Sequence, residues 1–420
     1  MTLHQQTHSL DHEALIALMA ETANLLIVQD LDGVCMGLVK DPLSRVIDMA
    51  YIKSVPAFEG NFFVLTNGEH IGQRGINGII ERAFGGAEAV AQQGLYLPGL
   101  AAGGVQWQNR YGKLEHPGVS DAELAFLAQV PDRIEHQLRQ FFAERPMLLS
   151  PEALEACIQS AVLDNVASPT VNLNTFYETL RDLDAYVELQ QTIQALLDDL
   201  LAAAKRQGLG DSFFVHYAPN LGRDENGQEV AWWASETSSG TTDFQFMLRG
   251  AIKEAGVLAL LNHYYFQRTG KYPLGVDFNA RQAPHQADDM LALVEQNFDP
   301  ALMPTMIGVG DTVTSQAVET EDGLEFKRGG SDRNFLQLIQ AIGQTFESSN
   351  LTVYVDSSGG ELKNRKPVQV TSDYGQPRVV EGPRDLRDSD DPLTLNVVFP
   401  GGHLQYCQAF QTAAQRRISG

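Results

Sequence analysis

The sequence is poor in cysteine and in long apolar runs, and each shortage excludes a class of protein. Only three of its 420 residues are cysteines, Cys35, Cys157 and Cys407, and no two of them form a CxxC pair. A disulfide framework and a thiolate zinc site are therefore not indicated, and a reducing compartment fits best. No apolar run reaches the roughly 18 residues of a membrane-spanning helix, and the acidic N-terminal segment does not resemble a signal peptide. We expect a cytoplasmic protein that has no membrane partner.

Basic residues are also scarce. Lys and Arg number 30 against 53 acidic residues, which gives a formal charge of −23. Because such a field repels phosphate backbones, nucleic acid is not expected as a partner. An acidic chain that binds an anionic substrate needs local compensation, either from a metal cation or from a few well-placed Lys and Arg side chains.

Four short apolar segments are present, and each ends in polar residues. They are NLLIVQD (24–30), FFVLTN (62–67), TMIGVGD (305–311) and LTVYVD (351–356). Helical or loop sequence separates them, which is typical of an α/β fold with a parallel sheet and helices on both faces. Ligands bind beyond the carboxyl ends of the strands in such sheets.

More than 200 residues of different texture lie between the second and third of these segments. Before them, apolar spacing predicts a helix over 10–22, with Asp11 as its cap. Within them it predicts helices over 121–144, 150–164 and 174–208, and strands over 212–219 and 241–248. We therefore predict one core part over 1–110, an inserted α+β domain over 111–247 and a second core part over 248–420.

The first apolar segment leads into the acid pair DLDG. Asp30 and Asp32 are alternate residues after a strand, so both carboxylates can face one pocket. One can be a nucleophile and metal ligand while the other is a general acid and base. Gly33 allows the backbone to turn away sharply. The alternative is that the pair belongs only to a solvated loop.

Further polar residues follow in a definite order. Thr66 and Asn67 come after the second strand, Lys253 lies near the start of an amphipathic helix, and Asp311 ends the third strand. This order of an acid pair, a threonine, a lysine and an aspartate resembles the haloacid dehalogenase-like phosphatases over roughly residues 20–100 and 245–400. The resemblance implies a Rossmann-like core of that family with a large inserted cap.

The resemblance also implies roles for these residues. Asp30 would attack phosphorus and form an aspartyl-phosphate, and Asp32 would protonate the leaving group and then activate water. Mg²⁺ would be held by the Asp30 carboxylate, the Asp32 main-chain carbonyl and Asp311. Thr66 and Lys253, together with the neighbouring Asn67, would hold the phosphate.

The sequence departs from the family at one position. The family usually carries a second acid about four residues after the GD of its fourth motif, where this chain has Ser315. The following segment resembles a hairpin around Asp322 and Gly323, and SDRNFLQLI then predicts a helix start. We expect Asp332 to replace the missing acid as a direct or indirect metal group. The alternative is that Asp332 only caps that helix.

The long insertion resembles the caps of sugar-phosphate and osmolyte-phosphate hydrolases, in which matched polar groups select the substrate. Its polar loops suggest Arg223, Asp224, Thr242 and Asp243 as sugar contacts. Glu69 and His70, just beyond the second strand and nearer the reaction centre, are also predicted substrate contacts. Stretches such as VLTNGEHIGQRG and FFVHYAPNLGRDE extend the resemblance across almost the whole chain. It implies a small sugar phosphate as substrate and a role in making a compatible solute under salt stress.

Three alternatives stay open at this stage. The chain could act on another osmolyte precursor such as sucrose phosphate, or it could be a phosphomutase that retains the aspartyl-phosphate. It could also be a non-catalytic sugar-phosphate-binding regulator of the preceding synthase. For an active enzyme, the charge of −23 also suggests a salt-sensitive association with that synthase.

Overall fold

The structure is a computed structural model that describes residues 2–40, 42–72, 74–218, 220–223, 229–236, 238–320, 323–362, 365–373 and 375–420. Within these residues, no helix is both long enough and apolar enough to cross a bilayer.

The helices alternate with strands along most of the chain. They are α1 (His12–Glu21), α2 (Met49–Ser54), α3 (Ile76–Phe84), α4 (Ala87–Gln93), α5 (Asp121–Leu127), α6 (Val130–Ala143), α7 (Pro151–Ala161), α8 (Asn174–Thr179), α9 (Leu183–Arg206), α10 (Lys253–Thr269), α11 (Ala287–Asn297), α12 (Arg333–Thr345) and α13 (Gly402–Ser419).

The strands are mostly short. They are β1 (Leu25–Gln29), β2 (Phe62–Leu65), β3 (Gly99–Ala101), β4 (Gln106–Gln108), β5 (Leu114–Glu115), β6 (Val162–Leu163), β7 (Thr170–Asn172), β8 (Phe213–Ala218), β9 (Asn220–Arg223), β10 (Glu229–Ala231), β11 (Asp243–Leu248), β12 (Thr305–Gly310), β13 (Thr314–Thr320), β14 (Gly323–Gly329), β15 (Leu351–Val355), β16 (Gln369–Asp373), β17 (Gln376–Glu381) and β18 (Val397–Phe399).

The chain divides into two compact units. The first comprises Met1–His70, Asn77–Gly118 and Gly250–Gly420, and the second comprises Ile71–Ile76 and Val119–Arg249. We call the second the inserted unit, because the chain leaves the first unit to form it and then returns.

The central sheet of the first unit has the order β18-β15-β12-β1-β2-β3-β4-β5. Neighbouring strands from β18 to β3 are parallel, and β4 and β5 add an antiparallel edge. All residues of β1, β2 and β15 are buried, which matches the unbroken apolar runs of their sequences. The predicted parallel α/β core, with its four strands, is confirmed.

The strand order reverses beside β1. The chain goes from β1 to β2 and β3 on one side, whereas β12, β15 and β18 lie on the other side. A crevice forms where successive connections leave a parallel sheet in opposite directions, and ligands bind there beyond the strand ends. The sheet therefore directs attention to the residues that follow β1, β2 and β12.

The inserted unit has an antiparallel sheet with the order β6-β7-β11-β8 and contains α5 to α9. Its core includes an aromatic group in which the ring centroids of Phe126 and Phe213 lie 5.3 Å apart and those of Phe213 and Phe246 lie 5.0 Å apart. The expected mixture of helices and strands in the insertion is confirmed.

Two long helices predicted in the insertion are each broken. The helix predicted over 174–208 is α8 and α9, because Leu180 is extended and Asp182 caps a new helix by accepting a hydrogen bond from the Ala185 amide. The helix predicted over 121–144 is α5 and α6, with Pro131 in the first turn of α6. The predicted caps Asp11 and Ser150 are confirmed by hydrogen bonds from the amides of Ala14 and Ala153.

Candidate active site

The carboxyl ends of β1, β2 and β12 bring the predicted acids together. In the sheet register, Gln29 of β1 pairs with Val64 of β2 and with Val309 of β12. The Asp30 amide continues this pairing through a 2.9 Å hydrogen bond to the Val309 carbonyl. Asp30 therefore extends from the central strand between its two neighbours, and Thr66 and Asp311 follow at the adjacent strand ends.

Lys253 is the first residue of α10, and its ammonium lies between two buried carboxylates. Nζ is 2.7 Å from Asp30 Oδ2 and 2.6 Å from Asp332 Oδ1. The lysine side chain is 3% exposed, so both ion pairs are shielded from bulk water. A buried ammonium needs such partners, because an unpaired one is costly.

Asp332 precedes α12, but its side chain does not cap that helix. Its Oδ2 accepts hydrogen bonds from the amides of Asp311 and Thr312, at 2.9 and 3.0 Å, and its Oδ1 faces Lys253. The cap alternative is therefore wrong. The predicted hairpin before it is confirmed by the pairing of β13 with β14, although Asp322 itself lies outside the described residues.

Three carboxylates meet at this point. Asp30, Asp311 and Asp332 are all buried, and each offers an oxygen within 4.8 Å of those of the other two. We call these three acids and Lys253 the reaction cluster.

Asp311 gives a test of whether a cation fits the reaction cluster. Its Oδ1 accepts a hydrogen bond from the Thr312 hydroxyl, at 2.8 Å. Its Oδ2 is buried, and among the described residues no donor is in hydrogen-bond geometry with it. Arg365 Nε is 3.9 Å away, and Arg365 and the Ser357 hydroxyl both lower the pKa of Asp311 without offsetting its burial. A buried carboxylate oxygen left in this way, beside two further acids, suits a hard divalent cation that takes oxygen ligands.

Gly33 makes the close approach to Asp311 possible. Its φ is +80°, and a Cβ at this position would lie 2.2 Å from Asp311 Oδ2. Any side chain here would displace the aspartate, and the backbone conformation itself disfavours residues other than glycine. The glycine of DLDG thus leaves room for the acid that ends β12.

Asp32 occupies a more open position than Asp30. Its side chain is 33% exposed, and Arg45 Nη1 lies 3.0 Å from each of its carboxylate oxygens. A Cβ on Gly68 would lie 3.5 Å from Thr66 Oγ1 and 3.8 Å from Asp32 Oδ2. The hydroxyl and the carboxylate therefore lie beside the same short loop.

That loop holds Thr66 in a fixed position. Thr66 Oγ1 accepts a hydrogen bond from the Gly68 amide, at 3.1 Å, so its own hydrogen can be donated to a ligand. The amides of Ala102 and Gly103 donate to the carbonyls of Gly68 and Thr66 at 2.7 and 3.0 Å. Asn67, which lies between Thr66 and Gly68 in the sequence, is exposed.

The acids of the reaction cluster differ in their tendency to ionise. Burial raises the pKa of Asp30 well above its ordinary range, although Lys253 opposes this, and burial together with Asp332 raises the pKa of Asp311 to about 7. For Asp332, burial also opposes ionisation, but Lys253 and two backbone amides outweigh it and lower the pKa. Asp30 and Asp332 in turn outweigh burial at Lys253 and raise its pKa. One carboxylate is thus matched to the ammonium, and the other two are left without full compensation.

The predicted contacts Glu69 and His70 are both buried in the first unit. Glu69 Oε2 accepts a hydrogen bond from Gln106 Nε2, at 3.0 Å. The His70 ring lies within hydrogen-bond distance of the Gly99 carbonyl at Nε2 and of the Gln108 amide at Nδ1. A substrate contact by His70 would require this packing to open.

The other predicted contacts lie in the inserted unit. Thr242 is buried, and its hydroxyl donates to Asp243 Oδ2 at 3.3 Å. Asp243 Oδ1 also accepts a hydrogen bond from Asn172, and burial raises the Asp243 pKa to about 6. Arg223 is the last residue of β9, while Asp224 lies outside the described residues.

Two arginines near the reaction cluster were missed by the sequence analysis. Arg45 pairs with Asp32 from thirteen positions along the chain, and Arg365 Nη2 donates to the Thr312 hydroxyl at 3.2 Å. Neither residue belongs to a periodic or spaced motif. Only the fold brings them to the acids.

Together, the fold and the residues at the strand ends define a class. A Rossmann-like parallel core with an inserted α+β unit and buried aspartates beyond β1 and β12 is the architecture of a haloacid dehalogenase-like phosphatase. The predicted fold class is confirmed.

Comparison with known proteins narrows the class. The sequence model of the glucosylglycerol-phosphate phosphatase family matches residues 24–414. A glucosylglycerol-phosphate phosphatase of Synechocystis sp. is 62% identical over 418 residues, which cover 99% of each chain. The chain belongs to the glucosylglycerol-phosphate phosphatase family and is a phosphoric monoester hydrolase.

Solved structures show more distant similarity. The C-terminal domain of trehalose-6-phosphate phosphatase from C. albicans is 10% identical, with a TM-score of 0.45, over 97% of this chain and 99% of that one. A trehalose-6-phosphate phosphatase related protein is 14% identical, with a TM-score of 0.32, over 76% of this chain and 99% of that one. At this level of similarity, neither structure bears on substrate or mechanism.

Proposed function

We propose that this chain hydrolyses glucosylglycerol 3-phosphate to glucosylglycerol and inorganic phosphate through an aspartyl-phosphate at Asp30, with Mg²⁺ as cofactor. Membership of the family and the name of its 62% identical relative support the substrate. The single observation that carries the chemistry is the reaction cluster, in which three buried acids lie together and two of them share the Lys253 ammonium.

The first step transfers the phosphoryl group to the protein. A carboxylate oxygen of Asp30 attacks phosphorus while the bond from phosphorus to the ester oxygen breaks. Asp32 gives its proton to the departing glycerol oxygen as general acid. Asp32 suits this role because it lies at the open side of the site, next to Thr66, whereas Asp30 is held beside Lys253.

The second step returns the protein to its starting state. Asp32, now ionised, takes a proton from a water molecule, whose oxygen attacks phosphorus. The bond between phosphorus and Asp30 breaks, and inorganic phosphate leaves. Arg45 would hold the Asp32 carboxylate in place between the two steps, because its guanidinium lies 3.0 Å from both oxygens.

The phosphate is held by groups that donate hydrogen bonds. Lys253 supplies a positive charge beside Asp30, Thr66 supplies a hydroxyl, and Asn67 follows on the same exposed loop. Fixed donors of this kind stabilise the charge that develops on the transferring phosphoryl group, which is where most catalysis of such reactions arises.

The carboxylates of Asp30, Asp311 and Asp332, with the main-chain carbonyl of Asp32, would hold Mg²⁺. When bound, this cation offsets the gathered negative charge and polarises the phosphoryl oxygens. The buried Asp311 Oδ2 supports the assignment, because among the described residues it has no donor in hydrogen-bond geometry and Arg365 Nε approaches it only to 3.9 Å.

Recognition of the sugar is proposed to involve Glu69 and His70 and, in the inserted unit, Arg223, Asp224, Thr242 and Asp243. The paired side chains of Thr242 and Asp243 offer the mixed donors and acceptors that sugar hydroxyls require. We place the reaction in the cytoplasm, in the synthesis of a compatible solute under salt stress. A salt-sensitive association with the preceding synthase is part of the same proposal, since the chain carries a charge of −23.

A substrate panel tests this function. Purified protein is given glucosylglycerol 3-phosphate, sucrose phosphate or glycerol 3-phosphate, each with and without Mg²⁺, and phosphate release is measured. We expect glucosylglycerol 3-phosphate to have the highest kcat/KM and release to depend on Mg²⁺, with Asp30→Asn as the inactive control. A higher kcat/KM for sucrose phosphate would overturn the substrate, and full turnover in chelator would overturn the cofactor.

A further inference from the structure

The first unit contains a cavity that none of the residues of the reaction cluster lines. Its volume is about 660 Å³, within the range of small-molecule sites. It lies at the antiparallel edge of the central sheet, between β4, β5, α10 and the segment before α11. Among its lining residues are Trp107, Glu115, His116, His263, Val276 and Asp277.

This cavity is separated from the reaction cluster along α10. Lys253 begins the helix at the cluster, whereas His263 lines the cavity ten residues later. At 1.5 Å per residue, the two positions are about 15 Å apart along the helix axis. A ligand in the cavity would therefore not occupy the phosphate position.

The chemistry of the lining excludes a phosphate ester and suits an uncharged polyol. Among the described residues that line the cavity there is no Lys or Arg, while Glu115 and Asp277 are acidic. Burial lowers the pKa of both His116 and His263, which keeps these imidazoles neutral at physiological pH. Lys113 lies nearby, but its ammonium is paired with Glu115 at 2.6 Å. With Glu115 offset by Lys113, Asp277 supplies the negative charge of the lining, and an anion finds no Lys or Arg among the described lining residues.

The apolar part of the lining includes the aromatic side chain of Trp107. Trp107 is half-buried and contacts two other rings, since its ring centroid lies 5.7 Å from that of Phe63 and 4.7 Å from that of His263, which also lines the cavity. A rigid aromatic face supplies contact area at little cost in conformational entropy, and carboxylates beside it accept hydrogen bonds from hydroxyls. The cavity thus offers both an apolar surface and hydroxyl acceptors.

We propose that this cavity binds an uncharged glycoside of the size of the hydrolysis product, which gives the product a second site away from the reaction cluster. The identity of the glycoside rests on the proposed function, whereas the class of ligand rests on the lining alone.

The cavity is connected to the phosphate loop through one short segment. Leu100 and Gly104 line the cavity, and between them Ala102 and Gly103 donate hydrogen bonds to the carbonyls of Gly68 and Thr66. A ligand that shifts this segment also shifts Thr66. We expect product bound in the cavity to shift this segment and so lower kcat, whereas product bound at the reaction cluster should raise only the apparent KM.

Inhibition by glucosylglycerol tests the proposal, with p-nitrophenyl phosphate as a substrate that does not depend on the sugar. We expect glucosylglycerol to lower kcat in the parent protein. Val276→Trp should fill the cavity without disturbing the core, because Val276 is 70% exposed. In this variant we expect the effect on kcat to be lost and glucosylglycerol binding by calorimetry to weaken at least about tenfold. Ile418→Trp, at a position 74% exposed at the end of α13, is the matched control.

A second cavity variant and a second ligand test the proposal further. Asp277→Lys places a cation in the cavity and should also weaken glucosylglycerol binding. Purely competitive inhibition would overturn the proposal, and so would equal glucosylglycerol binding in the parent and both cavity variants. Binding of the organic cation tetramethylammonium without binding of glucosylglycerol would also overturn it. Calorimetry needs no turnover, so cavity binding that survives a failure to hydrolyse glucosylglycerol 3-phosphate would overturn only the proposed function.

Discussion

The first unit contains two clusters of charged side chains that are compensated in opposite ways. The reaction cluster has three carboxylates and one ammonium. The second, which we call the arginine cluster, has three guanidinium groups and two carboxylates, joined at 2.6 to 2.9 Å: Arg328, Arg333, Arg384, Asp388 and Asp391.

The two clusters also shift the pKa values of their carboxyl groups in opposite directions. In the arginine cluster, Arg328 lowers the pKa of Asp388, and at Asp391 the arginines outweigh burial and lower the pKa to about 2. In the reaction cluster, burial raises the pKa of Asp30 and Asp311. Full compensation of the carboxylates makes structural ion pairs, whereas a deficit of positive charge leaves carboxylates that favour a bound cation.

The two clusters are adjacent along the chain. Arg333, which binds Asp391 through two hydrogen bonds, directly follows Asp332. The arginine cluster therefore fixes the start of α12, and the start of this helix positions Asp332 in the reaction cluster.

The largest expected effect is on turnover. Asp30→Asn removes the nucleophile while keeping the shape of the side chain, and we expect kcat to fall by more than about 10³-fold. Phosphate release measures this, and Asp388→Asn in the arginine cluster is the contrasting variant, whose folded fraction should keep turnover within about tenfold of the parent. Comparable loss in both variants would remove the distinction between the clusters.

Lys253→Met removes the only ammonium of the reaction cluster and leaves Asp30 and Asp332 buried without it. We expect the free energy of unfolding to fall by about 3 to 5 kcal/mol, the usual cost of breaking a buried ion pair from one side. Urea unfolding with and without Mg²⁺ measures this. Part of the loss should be recovered in Mg²⁺, since a bound cation would compensate the same acids. Unchanged stability would contradict the pairing.

Asp391→Asn tests how much a buried carboxylate of the arginine cluster contributes to stability. It weakens the pairing of Arg333 and Arg384, and we expect a loss of about 3 kcal/mol in the free energy of unfolding, with no recovery in Mg²⁺. Glu135→Gln, in a surface pair with Arg139 whose side chains are both 44% exposed, should change stability by less than about 0.5 kcal/mol. An equal free energy of unfolding in the two variants would mean that the ion pairs of Asp391 stabilise the protein no more than a surface pair does.

His70 provides a buried titratable group that is paired with uncharged neighbours. Burial lowers its pKa from 6.5 to about 4, so the unfolded chain binds a proton below pH 6.5 that the folded chain rejects until about pH 4. The stability from this group is complete above pH 6.5 and declines as the pH falls, by about 1.4 kcal/mol at pH 5.5.

His70→Gln should flatten that decline, as measured by urea unfolding between pH 7 and pH 5. Because His8 shifts in the same direction, the parent and the variant are compared by slope. Identical slopes would mean that His70 accepts a proton in the folded chain.

The sequence predicted most of the core because its strands are continuous apolar runs that end in functional residues. Asp332 was also within reach, since the hairpin of β13 and β14 carries the chain from Ser315 to a new helix start. The break between α8 and α9 could not be predicted, because apolar spacing continues through Leu180 and Leu183 while Asp182 between them caps a new helix. Arg45 and Arg365 were missed because only tertiary packing brings them to Asp32 and Thr312.

The cavity beside Trp107 was also beyond sequence analysis. Its lining comes from four separate parts of the chain, and each residue has an ordinary local role, such as the pairing of Glu115 with Lys113. The lack of basic residues in the lining becomes visible only when these parts are brought together.

Trapping of the phosphorylated protein tests the central claim most directly. In Asp32→Asn, the group that activates water is lost, so a phosphoryl group transferred to the protein should persist; the substrate is p-nitrophenyl phosphate, whose leaving group needs no proton from Asp32. After acid quench of a reaction with phosphorus-labelled substrate and peptide mapping, we expect label on Asp30, approaching one per chain and released by hydroxylamine. Label on a different residue, or single-turnover phosphate release by Asp32→Asn at the parent rate with no label on the protein, would contradict the account.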